Sequence, residues 1–216
     1  MIFPTLGVIL LARSPDLPVR TSNIDQGFYV LSQYGLNEVM GSDTLFLAKK
    51  GAAGQEKLLK IPALRFDRHL PDKIFVVEDR VVILASDGAG RYFHYFVRQG
   101  RRGYSLVNWP TGSTDSYSGS SNVVKLGGNL LGCVWVSPDF SSVLSGNYLY
   151  VFSPSQLKFG RLPGKEEGFE ISKDRKNAAF ILVRWKANNS SRRCSVHRFP
   201  LWMKDGIWLL SFPAKS

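Results

Sequence analysis

The chain has 216 residues, enough to enclose a hydrophobic core in one or two domains. Hydrophobic residues make up 44% and charged residues 21%, which excludes a disordered chain. The formal net charge of +11 attracts anions: nucleic acid, acidic lipid headgroups or an acidic protein. The basic residues fall in short groups such as Lys49-Lys50, Arg101-Arg102 and Arg192-Arg193, with no run of five or six. A general surface charge is the simpler reading of that pattern.

Twenty Gly and eleven Pro, with many β-branched and aromatic residues, point to strands and turns. The run Ile2 to Ala12 is apolar but broken by Pro4 and Gly7. It is shorter than the roughly 20 residues a membrane-spanning helix needs. It reads as a buried strand, LGVILLA, and on that reading the chain is cytoplasmic, although the compartment stays open. The alternative is the remnant of an export signal, although no positive segment precedes it. No transmembrane segment is expected. Cys133 and Cys194 each lie in a strand-like segment and read as two buried thiols; sequence neither pairs them nor excludes pairing.

Residues 13 to 26 are turn-rich and expected on the surface. Gly27 to Tyr34 reads as a strand. Thr44 to Ala48 and Lys57 to Ile61 form a hairpin, because Gly51 and Gly54 argue against a helix there. Lys73 to Val77 and Val81 to Ala85 pair across a Glu-Asp-Arg turn, and Asp87-Gly88 is a further hairpin signal. Arg91 to Arg98, RYFHYFVR, is a strand bulky enough to be buried on both faces. Tyr104 to Trp109 follows. Thr111 to Asn122 is low in complexity and is expected to be a mobile surface loop, with a contact role as the alternative. Further strands are Val123 to Leu126, Cys133 to Val136, Tyr148 to Phe152, Leu157 to Leu162, Phe169 to Ser172, Ala178 to Trp185, Cys194 to Phe199 and Ile207 to Phe212. Period-two alternation or short apolar runs dominate throughout. Tyr92 to Phe96, Trp135, Trp185 and Trp208 are expected to be buried.

Strand pairs end at Pro62, Pro110, Pro163 and Pro200, at irregular intervals of roughly 40 to 50 residues. Trp135-Val136-Ser137-Pro138-Asp139 precedes one unit and Glu170-Ile171-Ser172-Lys173-Asp174 the next. These Ser-x-Asp turns resemble those of TolB-like and WD40-like β-propeller repeats. The resemblance covers residues 129 to 200 well and 27 to 110 weakly. It departs at Phe140, where glycine is usual, and at Lys173, where proline is usual. It implies a small propeller-like array of antiparallel sheets in one all-β domain. The blade-like units span about 27–62, 73–110, 123–163 and 167–200. The segments 1–12 and 207–213 could complete one further blade. A β-sandwich or a twisted open sheet is the alternative fold.

No catalytic or metal-binding motif is visible and no cofactor is implied. His69 follows Asp67-Arg68 in a polar connection, but no further ligand spacing accompanies it. His94 reads as a packed strand residue and His197 as solvent-facing. Glu78-Asp79 and Glu166-Glu167 sit in turns, where their separation is unreadable. Arg98, Arg101 and Arg102, Tyr117 in the long loop, and Arg192 and Arg193 are the candidate partner-binding residues. The leading expectation is a non-enzymatic protein-binding module for an acidic partner, such as a bacterial immunity protein that occludes a toxin. The alternatives are a propeller enzyme or glycan-binding protein, and a nucleic-acid binder acting through its basic surface.

Overall fold

A computed structural model describes residues 20–34, 43–61, 69–119, 122–126, 128–136, 146–161, 168–171, 179–188, 191–204 and 207–210. Side chains are described only as far as residue 160. The expectations for Met1 to Ala12, Asp67, Phe140 and the Glu166-Glu167 pair lie outside the described residues. So do the side chains of Trp185, Cys194, His197 and Trp208.

The protein is all-β, and among the described residues every strand pairing is antiparallel. The first sheet holds β1 (Arg20–Thr21), β2 (Phe28–Tyr34), β3 (Asp43–Gly51) and β4 (Gly54–Ile61) in chain order. The second holds β5 (Leu70–Val77), β6 (Arg80–Ser86), β7 (Tyr92–Gly100) and β8 (Gly103–Val107). A further strand, β9 (Asp115–Ser118), joins it against β7. The third holds β10 (Asn122–Leu126), β11 (Asn129–Val136), β12 (Gly146–Phe152) and β13 (Leu157–Arg161). The last holds β14 (Gly168–Ile171), β15 (Ala179–Asn188), β16 (Ser191–Lys204) and β17 (Ile207–Leu210). Within β16, residues up to Pro200 pair with β15, and those from Leu201 onward pair with β17. The proline therefore marks a change of partner inside a longer strand.

Strand order follows chain order in each sheet, β9 apart, and the described connections include tight turns. Asp25 and Phe28 exchange both backbone hydrogen bonds across Gln26-Gly27. Both turn residues have positive φ, at 50° and 80°, the geometry whose twist matches paired strands. Trp109-Pro110-Thr111-Gly112 is a β-turn closed by the Gly112 N–H on the Trp109 carbonyl at 2.8 Å, with proline at its favoured second position.

The second sheet is buried on both faces, as the bulk of RYFHYFVR predicts. Ile74, Val76, Val81, Ile83, Phe93 and Tyr95 pack on Val30, Leu45, Leu47 and Ile61 of the first sheet. Val82, Leu84, Phe96 and Trp109 pack on Leu130, Val134, Tyr150 and Phe152 of the third. The alternation of strand side chains sends successive residues to opposite cores. The last sheet meets the third where β14 lies against β10 and β11.

Two expectations are corrected and one is extended. Thr111 to Asn122 is not all surface loop, since Asp115, Ser116 and Ser118 of β9 are buried. Strand β8 pairs with Phe96 to Gly100 and leaves the rest of that edge of β7 open. Strand β9 fills it along Tyr92 to Tyr95. Of residues 13–26, those described from Arg20 onward lie at the surface, as expected, and none is buried. They contribute β1, and Asn23 Nδ2 donates to the Ile74 carbonyl at 3.2 Å while its Oδ1 accepts from the Ile74 N–H at 2.8 Å. Asp25 Oδ2 accepts from the Val76 N–H at 2.8 Å, and Gln26 Nε2 donates to the Val76 carbonyl at 3.3 Å. These side chains cover the free edge of β5, which would otherwise offer a pairing template. Lastly, Trp135 is 39% exposed. Alternation sets Val134 and Val136 towards the third sheet's core and Trp135 on the other face with Leu131 and Cys133; those two are buried, and Trp135, near the end of β11, is left exposed.

Candidate functional site

The second sheet carries basic and aromatic residues at its two ends. At one end, β5 turns into β6 through Glu78-Asp79, and β7 turns into β8 through Arg101-Arg102. Gly100 and Gly103 flank the second turn, and Gly103 takes φ 108°, a conformation that strains residues with a Cβ. Arg98, Arg101 and Arg102 are exposed. Arg80 lies directly across the sheet from Arg98 but is only 6% exposed. Its Nη2 donates to the Ser155 carbonyl at 3.0 Å, and its guanidinium carbon is 5.7 Å from the centre of the Phe152 ring. Burial, then repulsion from Arg98, pulls the Arg80 pKa below its usual value.

At the opposite end, Asp87 organises the entry into β7. Its Oδ1 accepts the Ala89 and Arg91 N–H groups at 2.8 and 3.1 Å, and its Oδ2 is ion-paired with Arg91. Burial pushes the Asp87 pKa up, but these donors outweigh it and hold the carboxyl below its usual range. The Arg91 guanidinium lies 5.7 Å from the centre of the Tyr117 ring, and that ring lies 5.9 Å from Trp135. Hydrogen bonding to Tyr117, then to Asp87, raises the Arg91 pKa.

The candidates are thus partly united. Arg98, Arg101 and Arg102 share one end. Tyr117 stands opposite Phe93, near the other end of β7, some 20–25 Å away at strand rise. Arg192 and Arg193 belong to β16, opposite Ala187 and Lys186. Sequence reasoning missed Arg80, Arg91 and Trp135. The spacing of Arg80 from Arg98 carries no motif, because register alone brings them together.

The residues considered for chemistry are packed into the cores. His69 is buried with its ring 4.7 Å from Phe93, edge to face. His94 Nδ1 lies 3.1 Å from the Tyr150 hydroxyl. Cys133 is a buried thiol. Among the described residues, no three His, Cys, Asp or Glu side chains gather as a metal site. Among the described residues there is no helix, and so none long and apolar enough to cross a membrane. A groove of about 540 Å³ on the first sheet is lined by Ile24, Tyr29, Lys50 and the Gly51–Gly54 turn among others.

The fold defines the class as an all-β protein of successive antiparallel meanders. No family model matches the chain, and no curated protein matches it.

Proposed function

We propose that this protein is a non-enzymatic binding module that engages an acidic protein surface. The observation that carries this reading is the arginine end of the second sheet. Arg98, Arg101 and Arg102 are exposed there, and among the described residues none of them forms an ion pair. Arginine forks recognise carboxylates in bidentate geometry, and a field of +11 speeds the approach of an acidic partner. The narrower form of the reading is an inhibitor or immunity protein that occludes a toxin. We read the sheets as blades of a propeller-like array, supported by their meander order and stacking in chain order. Capture from lysate of the source organism, with wild type beside Arg101→Glu/Arg102→Glu, tests the binding reading. The expected result is one stoichiometric acidic protein, lost at least about tenfold in the variant. No partner, or capture indifferent to charge reversal, sinks it.

The row of Arg91, Tyr117 and Trp135 favours a second reading, binding of single-stranded nucleic acid. Bases stack on aromatic side chains and on arginine. An oligothymidine strand should then quench the fluorescence of wild type but not of Trp135→Phe, more strongly at low salt. Equal quenching of both, or none, removes this reading.

A further inference from the structure

The register of the second sheet sets two arginines directly opposite each other. Arg80 opens β6 and Arg98 faces it on β7. Opposed residues of an antiparallel pair leave the same face, with Cβ atoms about 5 Å apart, and like charges so placed repel. Arg80 is held in place by the third sheet, through the Ser155 carbonyl and the Phe152 ring. Its buried Nε–H meets no acceptor among the described residues. The neighbouring carboxylates of Glu78 and Asp79 are exposed; Asp79 offsets part of the repulsion at Arg80, but neither forms an ion pair with Arg80 or Arg98. An unmet buried donor and a cation pair that Asp79 only partly offsets are both costly, and one bound oxyanion relieves both.

We propose that Arg80 and Arg98 form a binding site for a single oxyanion, carboxylate or phosphate, at the seam between the second and third sheets. Arg98 supplies an accessible fork and Arg80 a fixed Nε–H donor. This deepens the binding-module reading and rests on it for the source of the anion: an Asp or Glu side chain of the acidic partner.

The test follows the arginine Nε–H resonances by NMR. Inorganic phosphate and a hexaglutamate peptide are titrated separately, with ionic strength held constant by sodium chloride. The Arg80 resonance should shift saturably with at least one probe. Arg98→Gln should weaken that binding at least about tenfold. Arg98→Lys should fall between, and Lys60→Gln, at an exposed cation on β4, should leave it unchanged. Arg98 is exposed, so its variants keep the fold that removal of Arg80 endangers. Tighter hexaglutamate binding identifies a protein carboxylate as the source; tighter phosphate binding identifies a phosphate. No saturable shift with either probe, or the same shift in Arg98→Gln, overturns the site. Failed partner capture beside intact anion binding overturns the functional reading alone.

Discussion

The two faces of the second sheet meet their neighbours in different ways. Towards the first sheet the contact is largely aliphatic, with Val30, Leu45, Leu47 and Ile61 against Ile74, Val76, Val81 and Ile83. Its polar contacts to the backbone of β5 lie at the edge, made by Asn23, Asp25 and Gln26. Towards the third sheet the contact is aromatic. Phe96 lies within 4.8–5.7 Å of the rings of Tyr150, Trp109, Phe152 and Phe159. Hydrogen bonds run through that interface: Trp109 Nε1 donates to the His94 carbonyl at 3.2 Å, and His94 reaches the Tyr150 hydroxyl. Burial drives the Tyr150 pKa well above its usual value, so its hydroxyl stays protonated. Branched aliphatic cores absorb small changes of shape, whereas interlocked rings tied by buried hydrogen bonds do not.

That difference gives the largest expected effect. Phe96→Ala should cost about 3–5 kcal/mol in urea unfolding, while Ile83→Val on the other face should cost about 0.5–1.5 kcal/mol. Ile83→Val as costly as Phe96→Ala would break the distinction. Next comes Asp115, which opens β9 opposite Tyr95. Burial raises its pKa from 3.8 to about 6. The folded state therefore favours the neutral acid. Stability is unpenalised below pH 4, falls as pH rises from about 4 to 6, and stays reduced above that. At roughly 1.4 kcal/mol per pH unit the penalty is about 2–3 kcal/mol. Asp115→Asn should raise stability at pH 7 by that order and change little at pH 3.5. A gain of equal size at both pH values would refute the ionisation argument. Gly132→Ala tests the aromatic interface from its backbone. Gly132 stands directly across from Tyr150, and an added Cβ would fall inside the Tyr150 ring. Displacing that ring also pulls its hydroxyl from His94. We expect a loss of about 1–3 kcal/mol, with the cost shrinking in a Tyr150→Leu background.

Much of this architecture was legible because strands with long apolar or alternating runs announce themselves. The β5–β6 and β3–β4 hairpins and the two-faced burial of β7 all follow from local pattern. Arg98, Arg101 and Arg102 were legible together because they share one hairpin. What escaped depends on vacancies left by other strands. The sequence Asp-Ser-Tyr-Ser has no apolar alternation, and it becomes β9 only because β8 stops at Val107. Arg-Thr is too short to register as a strand, and β1 gains its role from the side chains that follow it. Trp135 was assigned to the core by its hydrophobicity, but it lies near the end of β11, beyond the buried Leu131 and Cys133 of the same face. The Arg80–Arg98 pair is a product of register, which a one-residue slip would abolish.

The smallest effect tests how the aliphatic interface is closed. Asn23 replaces a neighbouring strand for one residue of β5, meeting both the N–H and the C=O of Ile74. Each such bond contributes about 0.5–1.5 kcal/mol net. Both are only partly buried, so water replaces some of the loss in Asn23→Ala. The expected cost is about 1–2 kcal/mol, with faster hydrogen exchange at the Ile74 amide. Asn23→Asp keeps the acceptor for the Ile74 N–H but loses the donor to its carbonyl, so its exchange should stay near wild type while half of the stability is lost. An uncovered edge also templates pairing between molecules. Asn23→Ala should therefore associate at lower concentration than wild type in sedimentation velocity, whereas Ile83→Val should not. If Asn23→Ala stays monomeric and the Ile74 amide stays protected, the edge of β5 is closed by packing rather than by these polar side chains.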